Sequence, residues 1–507
     1  MFLFVCGKIR CCYFAANGYF SIFAAKLCVM AIIIGRKKEQ EELRRLYQSG
    51  KAEFVVVYGR RRVGKTYLVR EFFDGKLDFH HTGLSPLELE GSKLQEKQLQ
   101  SFYFSLKRFG ADADRQPADW LEAFEMLITL LEKKGKDRRL TVFIDEMPWM
   151  DTPRSGFITA LEHFWNGWAA GQSHLMLIVC GSATSWISDK LIQNKGGLYG
   201  RTTYEIHLSP FTLGECEAYF RHEHIVMDRY DLLQCYMIMG GIPYYLSYMQ
   251  KGCSLAQNID RLFFQKDGKL RQEFHRLYAS LFADPEAYIK VIKFLGQKRE
   301  GYTRAEIAQH TGIPYGGGLT KILKSLEVSD FITPYIYYGH SSRDVRYKLT
   351  DFYTLFYLRF IDKKSSTNVR FWQDNQLSPS LNAWRGFSFE EVCFVHRDKI
   401  KQALGIASVH TEISPWRSRS EAPEQAQIDM LIDRADRIVN VCEMKFTTSD
   451  FMIDRKYDAE LRRKLDVFAA ETRCRKPLHP TLVTTYGLVQ NEYSGRIQCV
   501  VTMDDLF

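Results

Sequence analysis

Residues 54–66 constrain this chain more than any other stretch. An apolar run, Phe54-Val55-Val56-Val57, leads through Tyr58 into Gly59-Arg60-Arg61-Arg62-Val63-Gly64-Lys65-Thr66, and a helical apolar pattern follows from Tyr67 to Phe73. The run reads as a buried strand and the pattern as a helix, so the glycine segment is the loop between them. In a strand–loop–helix of the form G-x-x-x-x-G-K-T the two glycines let the backbone wrap closely, with its N–H groups turned inward as a phosphate cradle requires. Lys65 is placed to reach the β- and γ-phosphates, and Thr66 to hold Mg²⁺. The helix adds the positive end of its dipole. The segment predicts a nucleoside triphosphate site, with Mg²⁺ as the expected metal.

A second signature lies downstream. Leu140-Thr141-Val142-Phe143-Ile144 ends in Asp145-Glu146. Asp145 is expected to hold the water shell of Mg²⁺, and Glu146 to polarise the attacking water. A third apolar run, Leu175 to Cys180, ends in Gly181-Ser182. Ser182 reads either as a sensor of the γ-phosphate or as the cap of the next helix. Arg201 follows a glycine-rich turn and reads as a contact to the γ-phosphate, as a contact to a neighbouring subunit of a homo-oligomer, or as a surface charge. Alternating strands and helices from 31 to 210 predict a parallel α/β sheet with helices on both faces, with Ala31–Ile34 as its first apolar strand. The core is expected over 30–212 and a helical lid over 213–284, punctuated by Gly240-Gly241-Ile242-Pro243.

The length of 507 residues exceeds one core and predicts two to four domains. With 46% hydrophobic and 25% charged residues, the composition excludes a fibrous or intrinsically disordered chain. A net charge of +9 permits contact with nucleic acid without requiring it. The twelve cysteines show no C-x-x-C pair and no metal-binding spacing, so reduced thiols in a cytoplasmic protein are expected. Residues 1–29 are rich in cysteine and aromatics, but their uncharged run is too short to span a bilayer. They are expected to lie outside the core, with translation starting at Met30, and no membrane partner is expected.

The second half divides in two. Helical patterns over 288–295, 304–310 and 319–326, followed by a hairpin over 331–349 with a Gly339-His340-Ser341-Ser342-Arg343 tip, describe a winged helix-turn-helix over 285–360. Lys321 and Lys324 then lie on the recognition helix, and Arg343 and Arg346 on the wing. Such a unit contacts DNA or another protein. In the tail, over 380–507, Gly386-Phe387-Ser388-Phe389-Glu390-Glu391 begins a helix, and Gln427–Asp433 and Arg437–Lys445 read as strands. Alternation puts Glu443 and Lys445 on one face, within reach of Asp429 on the adjoining strand. Two carboxylates and a lysine can hold a divalent metal and orient water toward a phosphodiester, with Glu390 as a further ligand. The same residues also read as solvated side chains on an ordinary sheet. Arg455, Lys456, Arg462, Arg463 and Lys464 on the next helix face a phosphate backbone or solvent.

These motifs together resemble the archaeal-type ATPases of the AAA/STAND class. The resemblance rests on G-R-x-x-E at Gly35–Glu39, the loop Gly59–Thr66, Phe143-Ile144-Asp145-Glu146-Met147-Pro148-Trp149, Cys180-Gly181-Ser182-Ala183 and Gly240–Pro243. The tail resembles the accompanying domain related to PD-(D/E)xK nucleases, which has a restriction-endonuclease-like α/β fold. The resemblance implies ATP binding through residues 59–66 and Asp145, an adenine contact from Gly241-Ile242-Pro243, and a winged helix between ATPase and tail. Two functions follow as expectations. One is an ATPase whose nucleotide state controls a metal nuclease with Asp429, Glu443 and Lys445 as catalytic residues. The other is a switch whose tail binds DNA or protein without cleaving.

Overall fold

The computed structural model describes residues 33–85, 93–182, 184–192, 196–282, 284–362, 368–419 and 425–507. The expected extension at 1–29, and Ala31 and Ile32, lie outside them. The first half is built on β1 (Glu53–Tyr58), β2 (Phe79–Thr82), β3 (Leu140–Asp145), β4 (Leu175–Gly181) and β5 (Tyr204–His207). They form one parallel sheet in the order β2-β3-β4-β1-β5. Parallel sheets are covered on both faces, which explains why β3 and β4 are buried along their whole length. Alternate residues feed two cores. Val55, Val57 and Ile178 face one side; Phe54, Val56, Val142 and Leu177 face the other, against Trp120, Phe124 and Phe157. The C-terminal ends of β1, β3 and β4 converge at one edge, where ligands bind in open α/β sheets.

Ile33 and Ile34 do not form the expected strand. Gly35 and Arg36 both adopt left-handed backbone, with φ of 63° and 54°, and the Arg36 N–H donates to Glu215 Oε1 at 2.7 Å. The chain turns there into the helix Lys37–Tyr47, and Ile33 packs on the core from outside the sheet.

The helices Leu213–His222, Arg229–Met239, Pro243–Leu246, Leu255–Ile259 and Glu273–Leu281 follow. Next come helices Pro285–Leu295, Arg304–Thr311 and Gly317–Val328, with the strands β6 (Tyr302–Thr303), β7 (Ile332–Tyr335) and β8 (Arg346–Leu349) in the antiparallel order β6-β8-β7. Thr303 and Glu306 form a reciprocal cap on the second helix, as T-R-A-E specifies.

In the tail, the helix containing Glu390 starts at Pro379, seven residues before Gly386. Ser378 caps it by accepting from the Leu381 N–H, and a proline at the first helical position suits a helix start. Gly386 is therefore interior. A mixed sheet follows: β9 (Thr411–Arg417), β10 (Gln427–Arg434), β11 (Val439–Lys445), β12 (Leu478–Thr484) and β13 (Cys499–Thr502), in the order β13-β12-β11-β10-β9. The helix Arg455–Thr472 packs on it through Phe468. Apolar residues of the helices between Leu213 and Leu281, the three-stranded unit and the Pro379–Val395 helix continue one core with a face of the parallel sheet. No helix among the described residues is long and apolar enough to cross a membrane.

Candidate functional site

The loop after β1 has the conformation its glycines allow. Gly59 has φ 140°, and a Cβ there would lie 2.4 Å from the Leu208 carbonyl oxygen, so only glycine fits. Lys65 opens the helix Lys65–Phe72, and its Nζ donates to the carbonyls of Gly59 and Arg60 at 3.0 and 2.9 Å. Thr66 Oγ1 donates to Asp145 Oδ2 at 2.7 Å, joining the first signature to the second. Glu146, just past β3, accepts from the Ser182 N–H at 3.1 Å and from the Ser182 hydroxyl at 2.9 Å. The Ser182 hydroxyl thus holds Glu146. Thr66 and Asp145 are oxygen donors of the kind Mg²⁺ prefers, and their separation fits joint use.

The three loop arginines are arranged differently from the expectation. Their backbone belongs to the cradle, but their side chains turn toward the second half of the chain. Arg60 is 1% exposed and pairs with Asp351; Arg62 pairs with Glu273; Arg61 donates to the Ser280 carbonyl at 3.4 Å. Pro243 begins a short helix whose Tyr244 ring lies 4.4 Å from the Arg62 guanidinium, which brings that segment beside the loop. Gly241 accepts from the Phe211 N–H at 2.8 Å, and a Cβ on it would meet the Phe211 oxygen at 2.2 Å. Arg201 lies on an exposed turn closed by its own N–H to the Leu198 carbonyl. Sequence reasoning assigned no role to Arg36, although it stands in the quoted G-R-x-x-E. Its guanidinium sits 4.6 Å from the Phe211 ring centre and donates to the Val63 carbonyl at 3.3 Å, a tie onto the loop.

The tail gathers its charged residues around β10 and β11. The register Met430↔Cys442 sets the next pair, Asp429 and Glu443, across from each other. Asp429 lies where the pairing of β10 with β9 shifts, and its Oδ2 accepts from the Met444 N–H at 3.1 Å. Burial raises the Glu443 pKa, with Asp429 adding to the effect while Lys464 and Lys445 oppose it. Burial and Asp429 push Glu390 up to about 7, against the pull of Arg299.

Each flanking acid has a basic partner. Lys464 Nζ lies 2.8 Å from both Glu443 oxygens, Lys445 Nζ lies 3.7 Å from Oε2, and Arg299 donates to both Glu390 oxygens at 2.8 and 3.0 Å. Among the described residues no group of three or more His, Cys, Asp or Glu is arranged to hold a metal ion. Of the expected metal set, Glu390 and Glu443 are thus met by arginine and lysine, and Asp429 by the Met444 N–H. Sequence reasoning turned Lys464 outward; instead it faces Glu443, whose pull, with that of Asp429, outweighs burial and raises the ammonium pKa. Arg462 pairs with Asp458, and Arg463 donates to the Gln425 carbonyl at 3.0 Å.

Of the residues expected to meet DNA or protein, Lys321 and Arg343 are exposed, while Lys324 and Arg346 have partners within the chain. Lys324 Nζ donates to Asp189 at 3.0 Å, and Arg346 donates to the carbonyls of Glu300 and Gly301. The hairpin tip packs on the tail sheet: the Tyr338 N–H donates to the Pro415 carbonyl at 3.0 Å, and its hydroxyl to Asp433 at 3.1 Å.

Residues 33–249 match the family described as an ATPase domain predominantly from Archaea. An uncharacterized protein of Methanocaldococcus jannaschii is 24% identical over 399 residues, covering 77% of this chain and 83% of that protein. An uncharacterized ATP-binding protein of the same organism is 43% identical over 47 residues, which are 9% of this chain and 80% of that protein. Among solved structures, the Walker-type ATPase of Pyrococcus abyssi is similar at 20% identity and a TM-score of 0.47, covering 64% of this chain and 96% of its own. The ORC2 protein of Aeropyrum pernix, in ADPNP–ADP complexes, is similar at 13% identity and a TM-score of 0.39, covering 65% of this chain and 93% of its own.

Proposed function

We propose that the chain hydrolyses ATP to control its C-terminal half, on the premise of the match of residues 33–249 to an ATPase domain predominantly from Archaea. The observation that carries this reading is the joining of Thr66, Asp145, Glu146 and Ser182 at one edge of the parallel sheet. Thr66 and Asp145 would hold Mg²⁺, which supplies charge neutralisation for the phosphates. Lys65 leaves the loop carbonyls for phosphate oxygens, and Glu146 takes the proton of the attacking water. The Gly241–Pro243 segment and Arg36 flank the loop where a base would lie.

The unit over 285–360 reads as a winged helix from its order of elements, and the tail as a PD-(D/E)xK nuclease-like domain from Asp429, Glu443 and Lys445. In this reading nucleotide state gates cleavage of a nucleic acid. A second reading, a switch that binds DNA or protein without cleaving, is favoured by one observation: Lys464 and Arg299 already pair with Glu443 and Glu390. The test is a cleavage assay on DNA and RNA with Mg²⁺ or Mn²⁺, with and without ATP. The nuclease reading expects metal-dependent cleavage that disappears in Asp429→Ala and Glu443→Ala. No cleavage by the wild type under any of these conditions rejects it in favour of the switch.

A further inference from the structure

A loop built to surround phosphate turns two of its three arginines onto the protein's own carboxylates. Arg60 and Asp351 are 291 positions apart, and the Arg60 guanidinium lies 4.7 Å from the Phe331 ring centre. The second oxygen of Asp351 accepts from the Thr354 N–H at 2.9 Å, capping the helix Phe352–Phe360. Glu273 takes Arg62 and also accepts from the Tyr245 hydroxyl at 3.2 Å. Asp351 and Glu273 are both 4% exposed. A carboxylate engages the guanidinium fork in the way a phosphate does. An arginine whose charge is already neutralised adds little attraction for a polyanion.

We propose that Asp351 and Glu273 form an intramolecular clasp on the loop, standing in for phosphate oxygens on Arg60 and Arg62 respectively. Docking of the helices Glu273–Leu281 and Phe352–Phe360 then opposes tight ATP binding. The proposal rests on the ATP-binding reading and adds to it how the second half regulates the site. Linkage makes the effect reciprocal: a clasp that weakens ATP binding is itself loosened by ATP.

The test is titration of the full chain with ATP and with ADP, comparing wild type with Asp351→Asn and Glu273→Gln. Asparagine retains the capping oxygen, and the Arg62 pair is the less buried of the two, so at least one variant keeps the native fold. The clasp predicts ATP binding at least about threefold tighter in each folded variant, equivalent to about 0.7 kcal/mol. The gain is smaller for ADP, which carries less charge, and adding Arg62→Met to Glu273→Gln removes it. In the wild type, ATP accelerates hydrogen exchange at the amides of 352–360. ATP affinity unchanged or weakened in the folded variants overturns the clasp alone. Failure of the wild type to bind ATP overturns the clasp together with the ATP-binding reading.

Discussion

Glu146 is constrained in backbone and side chain at once. Its φ and ψ are both 44°, a left-handed conformation that costs a non-glycine residue about 1 kcal/mol or more. That conformation and the two donors of Ser182 decide where the carboxylate points. Ser182→Ala keeps the N–H donor and loses the hydroxyl. Steady-state ATPase kinetics should show kcat lower by about tenfold, with ATP affinity nearly unchanged. A raised KM at unchanged kcat would instead put Ser182 on the nucleotide. At this scale the motif residues Lys65, Thr66, Asp145 and Glu146 were legible, because their spacing is tied to chemistry. The bond from Ser182 to Glu146 was not, since it exists only when β3 and β4 are neighbours.

Among the elements, an imidazole ties the end of the Pro379–Val395 helix to the start of the helix Leu213–His222. His396 Nε2 accepts from the Leu213 N–H at 3.0 Å, and Nδ1 donates to the Val392 carbonyl at 2.9 Å. That pairing needs a neutral ring. Burial pulls the His396 pKa down to about 4, with Lys399 assisting and the Val392 carbonyl opposing. A histidine with a lowered folded pKa gives stability that is present above its unfolded pKa, about 6.5, and is lost as pH falls toward 4. The loss is at most about 1.4 kcal/mol per pH unit. Denaturant midpoints measured from pH 7 to pH 5 should fall in the wild type, and by less in His396→Gln. Equal slopes would mean that folding leaves the His396 pKa unshifted. The helix itself was legible but its start was not, because Gly386 is a breaker in isolation and is tolerated inside a packed helix. The strands around Asp429 and Glu443 were readable by alternation; the shift in pairing at Asp429 and the inward turn of Lys464 depend on tertiary neighbours.

On the scale of the whole molecule, one core runs from the parallel sheet through the helices between Leu213 and Leu281 to the tail, and ion pairs cross between its parts. Arg60–Asp351, Arg62–Glu273, Lys324–Asp189 and Arg299–Glu390 each join segments far apart in sequence. No pattern within a window of the sequence identifies such partners, and for that reason Lys324 read as a contact to DNA or another protein. The central claim is that ATP binds at the loop and is hydrolysed through Glu146. Calorimetric titration of wild type, Lys65→Ala and Glu146→Gln with ATP and Mg²⁺, followed by phosphate release in the same samples, tests it most directly. The account predicts ATP affinity at least tenfold weaker in Lys65→Ala, about 1.4 kcal/mol, and near wild-type affinity with little phosphate release in Glu146→Gln. Unchanged affinity in Lys65→Ala, or wild-type phosphate release from Glu146→Gln, would contradict it.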